Sequence, residues 1–178
     1  MDNKIRELES KSELKEKLSS LQRPHLFVEN SSEEPNRFLL IETQGITVGL
    51  VTYYRSIKAQ IATMSRSNVL LIGHDKELLC CSPVGPNISW RVELDFCFHE
   101  FKLFEEMETI VIIDEISVSA VNLSGERIWY QPSPDVIEWF EISDFETKIR
   151  TMDSQEMIFD TKTGSILSKK ITAIFYSS

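Results

Sequence analysis

The chain has 178 residues, of which 42% are hydrophobic and 26% are charged, and its formal net charge is −9. This length suffices for one globular domain with a short appendage, and it needs neither disulfides nor metals to build a core. The negative charge argues against non-specific binding to nucleic acid or to an anionic membrane, because both attract clusters of Lys and Arg.

The N-terminus and the cysteines predict the compartment. The first 18 residues, MDNKIRELESKSELKEKL, lack the apolar core of a secretory signal, and no stretch approaches the roughly 20 apolar residues of a membrane span. The three cysteines, Cys80, Cys81 and Cys97, are odd in number and two are adjacent, which is typical of reduced thiols rather than of a disulfide framework. We therefore expect a cytoplasmic protein without a membrane partner.

Residues 1–22 predict a helix. A capping-box pattern at Ser10–Glu13 also allows a helix start near Ser10, and Pro24 ends the element. The apolar residues at helical spacing are Ile5, Leu8, Leu14, Leu18 and Leu21. This stripe predicts a helix docked on its own domain, and a helix that binds a partner is the alternative interpretation.

A change in pattern near residue 35 predicts a domain boundary. Residues 30–36, NSSEEPN, have the composition of a linker, and short runs rich in Val, Ile, Leu and Thr follow. We predict a helical segment and linker over 1–35 and a β domain over 36–178. The first predicted strands are Arg37–Glu42, Gly45–Tyr54 and Ser56–Ala62.

A repeat occupies the rest of the chain. Strand–turn–strand patterns at Asn68–Cys81, Thr109–Leu123 and Glu146–Phe159 are each followed by a glycine. These glycines, Gly85, Gly125 and Gly164, are 40 and 39 residues apart, and Trp90, Trp129 and Ser168 follow them at four or five residues. A period near 40 residues with about four short strands is typical of propeller blades. The predicted repeats lie near 68–107, 108–145 and 146–178.

Two segments carry a family resemblance. Ala120–Trp129, AVNLSGERIW, and Phe159–Gly164, FDTKTG, resemble the turn signature of pyrroloquinoline-quinone-type and WD-type β-propeller repeats. The resemblance covers roughly Asn68–Lys169 and implies a glycine turn followed by a Trp packed between blades. The fold class is then mainly β, an antiparallel propeller-like meander of about three blade-like repeats behind an N-terminal helix. A propeller typically has at least four blades, so a non-closed array, another meander and an array completed by a second copy all stay open. No quinone is implied, because fold does not carry function.

The sequence offers little chemistry. It has no P-loop, no G-x-G-x-x-G, no G-x-S-x-G elbow, and no C-x-x-C or H-E-x-x-H motif. His74-Asp75 is the one pair that could orient an imidazole for acid–base work. The alternative is a hairpin turn, since Asp114-Glu115 occupy the same place in the next repeat. Carboxylates at Asp114, Glu115 or Asp153 show no convergent metal-ligand spacing. We predict no catalytic residue, no cofactor and no metal site.

Acidity is the remaining signal. Eight acids lie between Glu93 and Glu115, where Lys102 is the only basic residue. A solvated surface would explain them, and so would electrostatic steering of a basic partner. We predict a non-enzymatic protein-interaction module, for example an immunity or inhibitor protein. The predicted partner-binding residues are Asp114, Glu115, Glu105, Glu106 and Glu138. The alternatives are a small-ligand binder or enzyme that uses a propeller-like face, and a structural subunit completed by homo-oligomerisation.

Overall fold

The described part of the chain is almost entirely β. The computed structural model describes residues 3–29, 34–43, 45–54, 56–65 and 69–171. These residues contain one α-helix and sixteen strands in four four-stranded sheets. They divide into two compact units, one up to Leu94 and the other from Asp95 onwards. The prediction of a mainly β protein is confirmed.

The first sheet is mixed. Its elements are β1 (Lys4–Leu8), α1 (Lys11–Ser19), β2 (His25–Val28), β3 (Arg37–Glu42) and β4 (Thr47–Thr52). The strands stand in the order β1, β3, β4, β2, and all neighbours are antiparallel except β2 and β4. Since β1 and β2 precede residue 35, the predicted boundary there falls inside one sheet.

Helix α1 covers one face of the first sheet. Leu14 and Leu18 are buried and pack against Leu40 and Val51. A Cβ atom added at Gly49 would lie 2.5 Å from Leu18 Cδ1, so the helix can approach β4 because residue 49 has no side chain. The prediction of a helix docked on its own domain is confirmed.

The predicted helix over residues 1–22 is too long. Ser10 is the N-cap and its Oγ accepts a hydrogen bond from Glu13 N at 3.1 Å, so the helix begins after Ser10. Residues Lys4–Leu8 form a strand instead, with Ile5 opposite Ile41 of β3. Pairing to a strand more than 30 residues away outweighed the local helical spacing.

The second sheet completes the first unit. It is an antiparallel meander of β5 (Gln60–Thr63), β6 (Leu70–His74), β7 (Glu77–Ser82) and β8 (Asn87–Glu93). Val48 and Leu50 of the first sheet share a buried cluster with Leu70, Ile72 and Leu79 of the second. Asn68, the first residue of the predicted repeat, lies outside the described residues.

The second unit holds two further antiparallel meanders. The third sheet comprises β9 (Phe98–Phe104), β10 (Thr109–Asp114), β11 (Ser117–Asn122) and β12 (Arg127–Pro132), with a 3-10 turn at Glu105–Met107. The fourth comprises β13 (Ile137–Ile142), β14 (Glu146–Thr151), β15 (Gln155–Asp160) and β16 (Ile166–Ile171). Val111, Ile113 and Trp129 of the third sheet form one core with Ile149 and Phe159 of the fourth.

The second, third and fourth sheets share the same turn conformation and the same irregularity in strand pairing. Gly85, Gly125 and Gly164 have φ of +66°, +83° and +70°, as expected of glycines that close these hairpins. Register shifts fall after Cys80, Ala120 and Ile158, whose partners are Trp90, Trp129 and Ser168. The predicted equivalence of these positions is therefore confirmed. The sheets begin at Gln60, Phe98 and Ile137, one strand earlier than the predicted repeats, since each predicted repeat started at the second strand of its sheet.

Trp129 packs as the resemblance implied. It is 8% exposed, and its Nε1 donates to Thr161 O of the fourth sheet at 3.2 Å. A Cβ atom at Gly164 would lie 2.6 Å from the indole ring. Gly164 therefore serves both its own turn and the packing of Trp129.

Candidate functional site

Asp114 lies at the end of β10 and is only 3% exposed. Its Oδ1 accepts from Ile116 N at 2.9 Å, and its Oδ2 accepts from Ser117 Oγ at 2.6 Å. Burial raises the pKa of Asp114, although these hydrogen bonds oppose the shift. The carboxylate shapes the β10–β11 turn. The expectation that Asp114 belongs to a partner-binding surface is corrected, because both its oxygens are engaged inside the fold.

Glu115 and Glu138 lie apart from the other predicted residues. Glu115 is half-buried beside Asp114, and its backbone N donates to Cys97 O at 2.9 Å. Glu138 is exposed on β13 and pairs with Arg150 Nε at 2.7 Å. The Arg150 guanidinium lies 5.7 Å from the centre of the Trp139 ring. The structure therefore does not bring these two acids together with Glu105 and Glu106.

Glu105 and Glu106 stand at the opposite end of the third sheet from Asp114. They lie in the 3-10 turn between β9 and β10. Thr109 pairs with Phe104 on one side and with Asn122 on the other, so the β11–β12 turn lies next to the 3-10 turn. These two turns also carry the exposed acids Glu108 and Glu126.

The fourth sheet adds a turn to the same end. Lys102 Nζ donates to Ile142 O at 2.7 Å, which joins the end of β9 to the end of β13. The β13–β14 turn that follows presents Asp144 and Phe145, and the Phe145 side chain is 81% exposed. We call this surface the acidic end, and its residues are Glu105, Glu106, Glu108, Glu126, Asp144, Phe145 and Glu146.

The basic side chains near the acidic end are largely engaged. Lys102 bonds Ile142 and lies 5.2 Å from the Phe104 ring centre, and the Arg127 guanidinium lies 5.1 Å from that of Tyr130. Lys148 stands 3.5 Å from Glu146 and 3.8 Å from Glu141. Exposed Lys162 adds one positive charge. Carboxylates therefore dominate, and the surface favours cations around an exposed aromatic ring.

A depression of about 380 Å³ opens in the acidic end. Glu108, Asn122, Leu123 and Ser124 line it. Glu108 has φ +52°, a left-handed conformation that closes the 3-10 turn. The depression combines a carboxylate with amide and hydroxyl groups, and such groups can receive a cationic or hydrogen-bonding side chain.

A second cluster of charges is buried in the first unit. His74 is 1% exposed; its Nδ1 lies 3.2 Å from Asp75 Oδ2 and its Nε2 lies 3.0 Å from Glu77 Oε1. Arg91 Nε stands 3.1 Å from Glu77 Oε2. Glu77 attracts the imidazole through this contact and through its negative charge. We call His74, Asp75, Glu77 and Arg91 the His74 cluster.

The His74-Asp75 pair forms a hairpin turn. Asp75 has φ +42°, and His74 pairs with Glu77 across the β6–β7 turn. Burial alone would lower the pKa of His74, but Asp75 and Glu77 outweigh burial and raise it. Glu77 and Arg91 are not among the residues predicted from the sequence; the three-residue spacing of His74 and Glu77 across a turn was the available signal.

The described residues were searched for metal-binding groups and for membrane-spanning helices. No group of three or more His, Cys, Asp or Glu side chains within them is arranged to hold a metal ion. Among their helices, none has the length and apolar character needed to cross a bilayer.

Comparisons with known proteins give a likeness in structure but none in sequence family. No protein-family model and no curated protein matches the chain. Among solved structures, the chain is similar to the crystal structure of BamB from Moraxella catarrhalis, with 11% identity and a TM-score of 0.49. The match covers 75% of this chain and 45% of the BamB chain, so this chain spans less than half the length of BamB.

Proposed function

We propose that the chain is a non-enzymatic, cytoplasmic protein-interaction module whose acidic end binds a basic protein. The observation that carries the proposal is Phe145, which is 81% exposed among carboxylates. An exposed Phe gains nothing from folding, whereas an aromatic side chain that enters a partner's pocket is a common source of binding energy. An immunity or inhibitor protein is one version of such a module.

The charge of the acidic end defines the partner. Carboxylates around an apolar centre complement an apolar pocket surrounded by Lys and Arg. Such charges speed encounter and set orientation more than they add affinity, and salt weakens them. The partner is therefore a basic protein, bound through an aromatic anchor and steered by charge.

The repeat geometry supports blade-type units. The four-stranded meanders, the three positive-φ glycines and the contact between Trp129 and Gly164 support this proposal. We take the sheets as a rigid scaffold for the turns, because turns on a rigid scaffold commonly carry binding residues.

The outer face of the fourth sheet disfavours completion by a second copy. The third-sheet face that packs on the fourth sheet carries Val111, Ala120, Ile113 and Val118. Register places Lys148, Ile158, Arg150 and Glu156 at the equivalent positions of the fourth sheet. These side chains alternate with Ile149 and Met157 of the core, so they point away from the third sheet. An ionic face offers little apolar area to a further sheet.

Site-specific photo-crosslinking from cells tests the proposal. A crosslinking amino acid at position 145 should trap a basic protein, and the same amino acid at position 152 should not. Met152 is a matched control because it is 66% exposed and lies at the other end of β14. Trapping the same proteins from both positions, or only acidic ones from position 145, would contradict the proposal.

A further inference from the structure

We propose that the His74 cluster is a pH-sensitive latch that fastens the first sheet to the second within the first unit. This inference rests on buried groups far from any residue of the acidic end in the sequence. It is independent of the proposed function, and either can fail alone.

Asp75 makes the connection between the two sheets. Its Oδ2 accepts from Tyr53 N at 3.0 Å, and its Oδ1 accepts from Tyr54 N at 3.1 Å. Both amides follow directly after β4 of the first sheet, whereas Asp75 belongs to the β6–β7 turn of the second. His74 contacts the same Oδ2 atom that receives Tyr53 N. Asp75 thus connects the backbone after β4 of the first sheet to His74, so the protonation of His74 affects this connection.

Within these four described residues, the charges balance when His74 is protonated. The cluster then holds the two carboxylates of Asp75 and Glu77 and the two cations of His74 and Arg91. Loss of the proton leaves a net negative charge in a buried place, which is costly.

Among the described residues, two further charged or titratable groups act on the cluster without replacing the proton. Arg37 of β3 attracts Asp75 but also pairs with Glu7 at 2.9 Å. Cys81 of β7 lies near Glu77, and burial raises the pKa of its thiol to about 12, so the thiol stays neutral. Tyr53 meets Asp75 through its backbone N.

The latch holds at low pH and loosens at high pH. Folding raises the pKa of His74 above its ordinary value of 6.5. The stabilisation is therefore complete below about pH 6.5 and is lost as pH rises through the raised pKa. The equivalent hairpins hold the pairs Asp114–Ser117 and Thr151–Gln155, so among these three hairpins the imidazole is found only in the β6–β7 turn.

Hydrogen exchange of the Tyr53 and Tyr54 amides, followed by NMR from about pH 6 to about pH 9, tests the latch. After correction for intrinsic exchange, we expect protection to fall with rising pH in the wild-type protein. The fall should reach about tenfold for each unit by which the measured pKa of His74 exceeds 6.5. His99→Gln, which changes an exposed histidine, should keep this profile.

Two variants separate the latch from a fixed structural contact. His74→Gln should give low protection that does not vary with pH. Glu77→Gln removes one carboxylate, so the fall should move to lower pH while the protein keeps His74. Protection independent of pH in the wild-type protein would overturn the proposal, and so would a His74 pKa below 6.5 or a Glu77→Gln profile like that of the wild type.

Discussion

At the scale of single residues, glycines decide where the sheets can meet. Gly85 and Gly164 occupy equivalent hairpins with nearly equal positive φ, yet their surroundings differ. A Cβ atom at Gly85 would meet nothing within 4 Å, whereas one at Gly164 would collide with Trp129. A substitution at Gly85 therefore measures backbone strain alone, whereas the same substitution at Gly164 measures backbone strain together with packing against Trp129.

Gly164→Ala should destabilise the protein more than Gly85→Ala. Both substitutions force alanine into a left-handed conformation, which costs about 1–2 kcal/mol. Gly164→Ala must also displace the Trp129 ring, and overpacking of this kind adds roughly 1–3 kcal/mol. Urea denaturation of the two variants measures the difference. Equal losses in the free energy of unfolding would show that the packing of Trp129 does not require glycine at position 164.

Gly49 plays a similar part beneath helix α1. A Cβ atom there would lie 2.5 Å from Leu18 Cδ1, an atom at the end of a flexible side chain. We expect Gly49→Ala to destabilise the wild-type protein and to be less harmful, or even stabilising, in a Leu18→Ala background. A double-mutant cycle should show a coupling of about 0.5–3 kcal/mol. Additive effects would mean that the helix does not rest on β4 at this residue.

At the scale of elements, local patterns predicted the meanders but failed at two strands of the first sheet. Glu146–Thr151 forms a strand with the predicted bounds, because its residues alternate with strand period. Arg37–Glu42 also has the predicted bounds, because it is a short apolar run. The first sheet depends on distant partners instead. The parallel pairing of His25–Val28 with Thr47–Leu50 has no local signature, and neither has the strand at Lys4–Leu8.

The ionic outer face of the fourth sheet predicts that this sheet does not stack on another copy. Arg150→Ile with Glu156→Val would install the residues of the third sheet, Ile113 and Val118, at the equivalent positions. We expect this double variant to self-associate and the wild type to stay monomeric at that face, as measured by light scattering. Glu16→Val with Lys17→Ile, on exposed positions of α1, is the control for added surface hydrophobicity. A dimeric wild type whose association Arg150→Glu abolishes would instead favour the oligomeric alternative.

At the scale of the whole molecule, charge was visible in the sequence but its placement was not. Composition and the run of acids between Glu93 and Glu115 indicated an acidic surface. Only the strand register shows that Asp114 faces inward and that Glu105 and Glu106 lie at the other end of β10. Phe145 was not predicted from the sequence as a binding residue, because an isolated Phe cannot be distinguished from a core residue until its exposure is known.

Phe145 is the residue through which we propose that the acidic end binds a basic protein. The most direct test is the dissociation constant of the crosslinked partner for the wild type, Phe145→Ala and Met152→Ala, each measured over a range of salt concentrations. We expect Phe145→Ala to weaken binding at least about tenfold, or about 1.4 kcal/mol, while Met152→Ala changes it less than about twofold. Wild-type affinity should also fall as salt rises. Equal affinities for the two variants, or an affinity indifferent to salt, would contradict the account.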